Sequence, residues 1–574
     1  MKNRLKAALL LSSMVIITAC NFNRGSSNTE TADTIFYNGN IITMDDEQRI
    51  ESAIAIKGGE IIAVGTEEEL NRYTSASTVK INLESASLVP GFIDAHGHMS
   101  MVAQSINHAN LAPSPIGNSD SISELVKEMQ LFWQDRELAP EQWITGMGYD
   151  DSLLAERTHP TRFDLDQIST EVPIVIMHVS GHLAVINSKA LQVLEIDENT
   201  PDPDGGKIVR IEGSNEPNGV LEETAMYLAM VGFTSVPQDM PSTIQLFSDA
   251  QQYYASFGIT TVQDGAASAE SIKLYETLAN DNVLYLDVVA YPTWDVLTML
   301  KLGNYDISDE YHNNFRVGGV KIILDGSPQG KTAYMTQPYL NPPAGEATSY
   351  VGYPTLTTDF LEQKLSAYLK SGTQFIVHTN GDAAVDMYLD ALDEIVNETQ
   401  DMSLIRPVSI HSQTTRDDQL ERMLDYHMIP SFFSAHTFFW GDWHRDEVFG
   451  VERAERISPT RSASNYGIQY TTHNDSPVVD PDMIRLMYNT VNRVTRSGET
   501  LGEEQKATAY EALASITRNA AYQYHEEQRK GSLERGKIAD MVILSGNPLT
   551  IKPEEINSIQ VLETFKQGKS VHKK

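Results

Sequence analysis

The sequence predicts an α/β protein whose main part is a (β/α)8 barrel of the TIM type. Apolar, strand-like runs alternate with helical stretches through the middle of the chain, and β-rich segments stand at both ends. Such continuous runs favour parallel strands that helices cover on both faces, and eight strand–helix units favour a closed barrel over an open sheet. The eight runs lie at residues 88–96, 258–265, 284–292, 317–327, 373–382, 407–413, 428–436 and 468–476.

The two β-rich ends predict one small β-sandwich domain assembled from both termini. Asn38-Gly39 and Gly58-Gly59 stand between β-branched or alternating stretches, where they indicate hairpin turns. We expect this domain to comprise residues 34–89 plus 531–572, and the barrel to occupy residues 90–530. A stretch of about 108–245 does not fit the strand count, and it predicts an insertion after barrel strand 1.

The N-terminus predicts a lipoprotein signal peptide over residues 1–19. Basic residues precede an apolar run at 7–17, which is shorter than a bilayer-spanning helix requires. The residues that end at Cys20 resemble a bacterial lipobox, which implies lipidation of Cys20 and a polar tether over residues 20–33. Because Asn21 follows, we expect a cell-envelope protein that is lipid-anchored to the bacterial outer membrane and faces the periplasm.

Composition excludes some partners and some chemistry. The 574 residues carry 43 Lys and Arg against 78 Asp and Glu, a formal net charge of −35. This excess argues against nucleic acid or an anionic membrane surface as the main partner, so the membrane would be reached through the lipid anchor. Cys20 is the single cysteine, which leaves no internal disulfide and no cysteine-based metal site.

Polar residues near the ends of the barrel runs predict a metal site. His96 and His98 end the first run, and because side chains alternate along a strand, both imidazoles point to the same side. In a barrel, the ends of all these runs converge on one mouth, where imidazoles and a carboxylate suit a divalent metal such as zinc. The remaining candidates lie in the fourth, fifth, sixth and eighth runs and are Lys321, His378, His411 and Asp475.

Each candidate also has a structural alternative when taken alone. A single strand histidine such as His378 is often a hydrogen-bonded core residue, and Asp475 could cap the following helix. Lys321 could form a buried ion pair with Asp325, since an unpaired buried ammonium is costly. The combination of these residues, in order and each on its own run, favours the metal site.

Several segments carry a family resemblance, which covers about residues 34 to 570. The pattern resembles the amidohydrolase superfamily of metal-dependent hydrolases, and more narrowly amidohydrolase family 3, the N-substituted formamide deformylase-like hydrolases, here as a bacterial lipoprotein. The segments include PGFIDAHGHM, VSGHLAVINSKAL, GITTVQDG, GVKIILDGSPQGKTA, VHTNGDAAVD, NDSPVVDP and GSLERGKIADMVIL.

The resemblance implies a set of metal ligands. His96 and His98 would bind the more buried metal, His378 and His411 would bind the second, and Asp475 would be shared. Lys321 matches a lysine that bridges two metals when its amine is N6-carboxylated. We therefore expect one or two zinc ions or another divalent metal, and a homodimer as an expectation at the level of the family.

The resemblance and the metal chemistry together predict a hydrolase. A metal-activated hydroxide would attack an amide-like C–N bond of a small molecule: an amide, formamide, cyclic imide or ureide, other than a peptide bond. Asp475 would act as general base and then acid, and His411 is the imidazole candidate that would help polarise the carbonyl. The alternatives are a catalytically retired barrel that binds a ligand in the envelope, and a deaminase or isomerase acting on a cyclic nitrogen compound.

Three further residues are candidates for substrate binding. His182 resembles a family position that reaches from the insertion toward the substrate, although it could equally be a structural turn histidine. His436 and Trp440 follow the seventh run in an aromatic-rich segment. That segment predicts an apolar substrate wall or, alternatively, the packed core of a loop.

Overall fold

The computed structural model describes most of the chain. The described residues are 30–134, 136–138, 141–151, 153–179, 183–203, 206–234, 240–302, 307, 310–343, 346–397 and 400–574. Three predictions therefore concern residues outside the described ranges: the signal peptide, the lipidation of Cys20 and the role of His182. Within the described ranges, every helix is too short or too polar to cross a membrane.

The N-terminal segment forms the first strands of the small domain. β2 and β3 pair in antiparallel fashion around Gly58-Gly59, as predicted. The second predicted hairpin is wrong, because β1 continues through Asn38-Gly39 and only shifts its register there. Asn38 adopts the left-handed conformation (φ 57°), and the two extra residues of β1 between Tyr37 and Ile41 form a bulge instead of a turn. The elements are β1 (Thr34–Ile42), β2 (Ile50–Lys57), β3 (Glu60–Gly65), α1 (Glu67–Leu70), β4 (Val79–Asn82) and β5 (Ser87–Pro90).

A six-stranded sheet follows the first barrel strand, β6 (Phe92–Ile93). Its strand order is β11-β12-β10-β9-β8-β7, in which β7, β8 and β9 are parallel neighbours. The carboxyl ends of β8 and β9 therefore meet at one edge of this sheet. Its strands are β7 (Ala109–Asn110), β8 (Ile144–Tyr149), β9 (Ile174–His178), β10 (Leu183–Ile186), β11 (Gly206–Arg210) and β12 (Pro217–Glu223). The helices of this region are α2 (Met99–Ser105), α3 (Ile122–Trp133), α4 (Arg162–Leu165), α5 (Ser188–Val193) and α6 (Val231–Thr234).

The barrel strands are parallel to their neighbours, as the buried apolar runs predict. The fourth run is divided at Gly318-Gly319, where a Cβ on Gly319 would lie 2.3 Å from the carbonyl oxygen of Gln374. The strands after β6 are β13 (Ile259–Ala267), β14 (Asp287–Pro292), β15 (Phe315–Val317), β16 (Val320–Ile323), β17 (Phe375–Thr379), β18 (Val408–His411), β19 (Ile429–Phe432) and β20 (Thr471–Thr472).

Helices lie between and after these strands. They are α7 (Met240–Ser256), α8 (Ala269–Asn280), α9 (Trp294–Leu302), α10 (Thr358–Lys370), α11 (Asp382–Ile395), α12 (Asp417–Asp425), α13 (His436–Phe439), α14 (Gly441–Trp443), α15 (Val451–Ala454), α16 (Thr460–Asn465), α17 (Met483–Asn492), α18 (Ala509–Ser515) and α19 (Arg518–Gln523). The longer ones bury one apolar stripe against the strands, as Leu361, Leu365 and Leu369 do in α10.

The C-terminal segment completes the small domain. Its strands are β21 (Met541–Leu544), β22 (Val561–Lys566) and β23 (Lys569–Lys573), and β21 pairs with β5. The resulting sheet has the order β23-β22-β21-β5-β1-β2-β3, with β4 on β1. The rings of Phe36 and Phe565, from opposite ends of the chain, lie 5.1 Å apart in its core. The predicted fold class is confirmed.

A buried ionic cluster joins the small domain to the barrel at the start of β14. The Nζ atom of Lys566 lies 2.6 Å from a carboxylate oxygen of Asp287 and 2.7 Å from one of Asp540. Lys530 contacts the same oxygen of Asp287 at 2.5 Å and Glu526 at 2.6 Å. Because each charge has an opposite partner, the cluster avoids the cost of isolated buried ions.

Candidate metal centre

The carboxyl ends of the barrel strands bring the predicted ligands together. Oδ1 of Asp475, after β20, lies 3.2 Å from Nε2 of His98 and 3.4 Å from Nε2 of His96. Its other oxygen, Oδ2, lies 3.9 Å from Nε2 of His411. Asp475 thus stands between the His96–His98 pair and His411, as a shared ligand would. The predicted roles of these residues remain predictions.

Lys321 points into the same cluster from β16. Its Nζ atom lies 3.1 Å from Nε2 of His96, and the residue is only 2% exposed. Burial lowers the pKa of Lys321 to about 7, so a large fraction of its amine is neutral near neutral pH. The alternative ion pair with Asp325 is not formed, because Asp325 contacts His378 instead.

Gln263, in β13, fixes the protonation of His96. The side-chain amide of Gln263 donates hydrogen bonds to the carbonyl oxygen of Ala95 and to the hydroxyl of Tyr524, so its Oε1 must face His96. That oxygen lies 2.5 Å from Nδ1 of His96, which must therefore carry the proton. The lone pair of Nε2 is left to face Lys321 and Asp475, as a metal ligand requires.

The second half of the cluster is held by two other contacts. Nδ1 of His378 lies 3.0 Å from Oδ1 of Asp325, a carboxylate that also accepts backbone N–H groups. Nδ1 of His411 lies 3.1 Å from Nε2 of His473, whose Nδ1 lies 2.9 Å from Oγ of Ser431. When each ring donates its Nδ1–H along this series, Nε2 of His411 is free to bind a metal. The rings of His378 and His411 are 4.6 Å apart.

Two of these residues have an unusual backbone. His411 has φ 72° and Asp475 has φ 54°, both in the left-handed region that side chains rarely adopt. Such conformations cost roughly 1–3 kcal/mol and persist where the surroundings impose them, most often at functional sites. Two predicted ligands have such a backbone. This is consistent with a site where the direction of the side chain matters more than the conformational energy of the backbone.

The protonation of the cluster fits a zinc-like cation. Burial lowers the pKa values of His96 and His411 well below the usual range, so both imidazoles are neutral, the form that binds metals. Burial raises the pKa of Asp475, but its hydrogen bond with His98 acts against burial, and the pKa lies well below its usual value. Neutral imidazoles with one carboxylate form a donor set that suits zinc.

A cleft of about 860 Å³ opens beside the cluster, and His98 forms part of its wall. Trp440 lines this cleft together with apolar residues such as Val102 and Phe439, and its place in a substrate wall stays a prediction. His436 instead lies buried behind the cleft, with its ring 5.3 Å from that of Trp440 and 6.5 Å from that of His411. The cleft is of a size that small-molecule sites commonly have.

Sequence reasoning missed Gln263 and His473. His473 precedes Asp475 by two residues, which repeats the spacing of His96 and His98 and could have identified it. Gln263 interrupts the apolar run of β13, but an isolated glutamine gives no indication of its partner. Both residues are fully buried, and both act through a histidine that the sequence did identify.

Comparison with known proteins assigns most of the chain to one family. The sequence profile of the amidohydrolase family matches residues 80–572. N-substituted formamide deformylase from Arthrobacter pascens is 27% identical over 552 residues, which cover 94% of this chain and 98% of that protein. Protein LONG AFTER FAR-RED 3 from Arabidopsis thaliana is 27% identical over 556 residues, with 94% and 92% covered.

Solved structures agree on the fold. The crystal structure of an uncharacterized metal-dependent hydrolase from Pyrococcus horikoshii OT3 superimposes with a TM-score of 0.71 at 24% identity, and the match covers 91% of this chain and 99% of that one. At that identity the likeness concerns the fold alone. The profile match extends over most of the sequence, and the chain therefore belongs to the amidohydrolase family.

Proposed function

We propose that this chain is a metal-dependent hydrolase that cleaves an amide-like C–N bond of a small molecule, other than a peptide bond. The observation that carries the proposal is the convergence of His96, His98 and Asp475, whose ligand atoms all lie within 4.8 Å of one another. Lys321, His378 and His411 surround this group at the same end of the barrel. These six side chains would hold one or two divalent ions, zinc being the first choice.

The chemistry divides between the cation and the chain. A divalent cation in this position would lower the pKa of a water molecule and polarise the substrate carbonyl. The Asp475 carboxylate accepts a proton from the attacking water while the oxygen of that water bonds to the carbonyl carbon. Asp475 then delivers that proton to the leaving nitrogen as the C–N bond breaks. His411 lies beside Oδ2 of Asp475 and would help to polarise the carbonyl through the cation that its Nε2 holds.

N-substituted formamides are the first substrates to test, because one of the relatives is an N-substituted formamide deformylase. The panel also includes N-acyl amines, cyclic imides and ureides. We expect turnover of at least one compound, its loss on chelation and its return with zinc. Asp475→Asn should lower kcat by at least about 100-fold, the contribution of one general base, whereas Asp425→Asn, on the exposed end of α12, should not.

Other outcomes point to the alternatives. Ammonia release from a cyclic nitrogen compound without ring opening would replace the proposal with a deaminase. Tight ligand binding without turnover by the zinc-loaded protein would replace it with a retired barrel that serves as a binding protein.

We also propose that the protein is attached to the bacterial outer membrane through a lipid on Cys20 and faces the periplasm. The support is the order of basic, apolar and small residues before Cys20. Cys20→Ser should move the protein from the membrane to the soluble fraction and abolish labelling by a palmitate analogue, while Ser26→Ala should change neither. Unlabelled wild-type protein in the soluble fraction would contradict this anchor.

A further inference from the structure

A second group of metal-binding side chains lies in the inserted sheet. β8 and β9 are parallel neighbours, and their register places Tyr149 opposite His178. Asp150 and Asp151 follow the end of β8, and His178 ends β9. The inserted sheet thus repeats, at its own edge, the arrangement of polar side chains at the carboxyl ends of parallel strands that builds the barrel cluster.

The geometry of this group is tight. Nε2 of His178 lies 3.0 Å from Oδ1 of Asp151, and the ligand atoms of Asp150, Asp151 and His178 all lie within 4.8 Å of one another. Nδ1 of His159 lies 3.8 Å from the same oxygen of Asp151 and 3.2 Å from the hydroxyl of Tyr149. The hydroxyl of Tyr149 thus supports His159 at the edge of the group.

The group also faces the cleft beside the barrel cluster. Asp150 and His178 both line the cleft of about 860 Å³ whose wall includes His98 of the barrel cluster. The exposed fractions of the His178 and Asp151 side chains are 11% and 31%, so a small ion could reach both without unfolding the sheet. A plain surface carboxylate pair would be more exposed and would lack the imidazole.

The chemistry selects a cation. One imidazole nitrogen with two carboxylate oxygens is a donor set that zinc and similar divalent ions bind. We propose that Asp150, Asp151 and His178 form a second divalent-cation site, separate from the barrel cluster, in the wall of the cleft that His98 also lines. This site does not depend on the proposed function.

The test counts bound metal. Chelator-stripped protein is dialysed against zinc, and the bound equivalents are measured for wild type, Asp151→Asn, His98→Ala and the double variant. We expect Asp151→Asn to lose about one equivalent while retaining the metal that His98→Ala removes. Glu171→Gln, which removes one exposed negative charge from the same insertion, should bind as much zinc as wild type.

A second variant and a spectroscopic measurement keep the outcome clear. His178→Gln should lose the same equivalent, and the visible absorption of bound cobalt should fall in proportion. Wild-type metal content in both Asp151→Asn and His178→Gln would overturn the second site. An unchanged metal content in His98→Ala would count against the barrel centre instead, so the two failures are distinguishable. Circular dichroism identifies a variant that has not folded, and Asp150→Asn then replaces it.

Discussion

Oε1 of Gln263 accepts the Nδ1 proton of His96, and this one contact decides which nitrogen of His96 can face a metal. The glutamine cannot rotate to offer its amide group instead, because that group already donates to Ala95 and Tyr524. Gln263 is therefore a positioning residue: it contacts the proposed ligand His96 and would not itself contact the metal. Its effect should be measurable without any substrate.

The first prediction concerns this contact. Gln263→Leu should weaken zinc binding by about 10–100-fold, the usual effect of removing the hydrogen-bond partner of a ligating histidine. Competition with a coloured chelator measures the affinity. Gln245→Leu, on the exposed side of α7, is the matched control. Equal zinc affinity in Gln263→Leu and wild type would show that His96 does not need this partner.

The second prediction concerns carboxylation of Lys321. A carbamate forms when a neutral amine attacks carbon dioxide and releases a proton. Because burial lowers the pKa of Lys321 to about 7, the neutral fraction rises as pH rises through that value. With carbon-13-labelled bicarbonate and zinc, the carbamate NMR signal should increase from about pH 6 to about pH 8, since an unperturbed lysine (pKa about 10.4) would stay protonated over that range.

The control for the second prediction is another lysine. Lys321→Arg should abolish the carbamate signal, because a guanidinium group does not form a carbamate under these conditions. Lys370→Arg, on the exposed end of α10, should leave the signal intact. A signal that persists in Lys321→Arg would assign the carbamate to a different amine.

The third prediction concerns the wall of the cleft. Trp440→Ala should raise KM for an apolar substrate about tenfold, equivalent to roughly 1.4 kcal/mol of binding free energy, with little change in zinc content. Trp443 provides a matched control, because it is 41% exposed and lies outside the lining of the cleft. If Trp443→Ala raises KM as much as Trp440→Ala does, the wall has been assigned to the wrong residue.

The fourth prediction concerns the buried ionic cluster. Asp287→Asn should lower the free energy of unfolding by about 1.5–3 kcal/mol at neutral pH, because Lys530 and Lys566 each lose one of two buried counter-charges and keep only Glu526 and Asp540. The midpoint of chemical denaturation measures the change. Asp281→Asn, on the exposed surface at the end of α8, should shift the midpoint little.

The same cluster predicts that the stability of the folded protein decreases at low pH. Burial raises the pKa of Asp287, but Lys530 and Lys566 outweigh it and lower the pKa to about 2. The folded protein therefore binds fewer protons than the unfolded chain, whose aspartates titrate near about 3.9. The stabilising contribution is complete above about pH 4 and is lost as pH falls toward about 2. Asp287→Asn should lack this part of the acid transition.

Most of the barrel could be predicted from the sequence, because its strands are buried on both faces and appear as apolar runs. The division of the fourth strand at Gly318-Gly319 could not, since it lies where the backbone closely approaches Gln374, the residue before β17. The bulge at Asn38 was misjudged for a related reason. An Asn-Gly pair supports a turn or a bulge equally, and the choice depends on which strands lie beside it.

The candidate site shows a similar limit. His96, His98 and Asp475 carry their chemistry in the side chain, so their positions at strand ends identified them. Gln263 matters only through the orientation of its amide, which three partners in the folded chain determine. The strand-end arrangement at Asp150 and His178 could not be predicted in this way, because the sequence does not reveal that β8 and β9 are neighbours.

The pairing of β5 with β21 has a consequence for biogenesis. During synthesis from the N-terminus, β5 and its neighbours emerge long before the strands that complete their sheet. Until the last residues arrive, they present an open edge, which is prone to pair with other chains. We expect the nascent chain to need a chaperone over nearly its whole length, and the loss of even the final strands to yield aggregated protein.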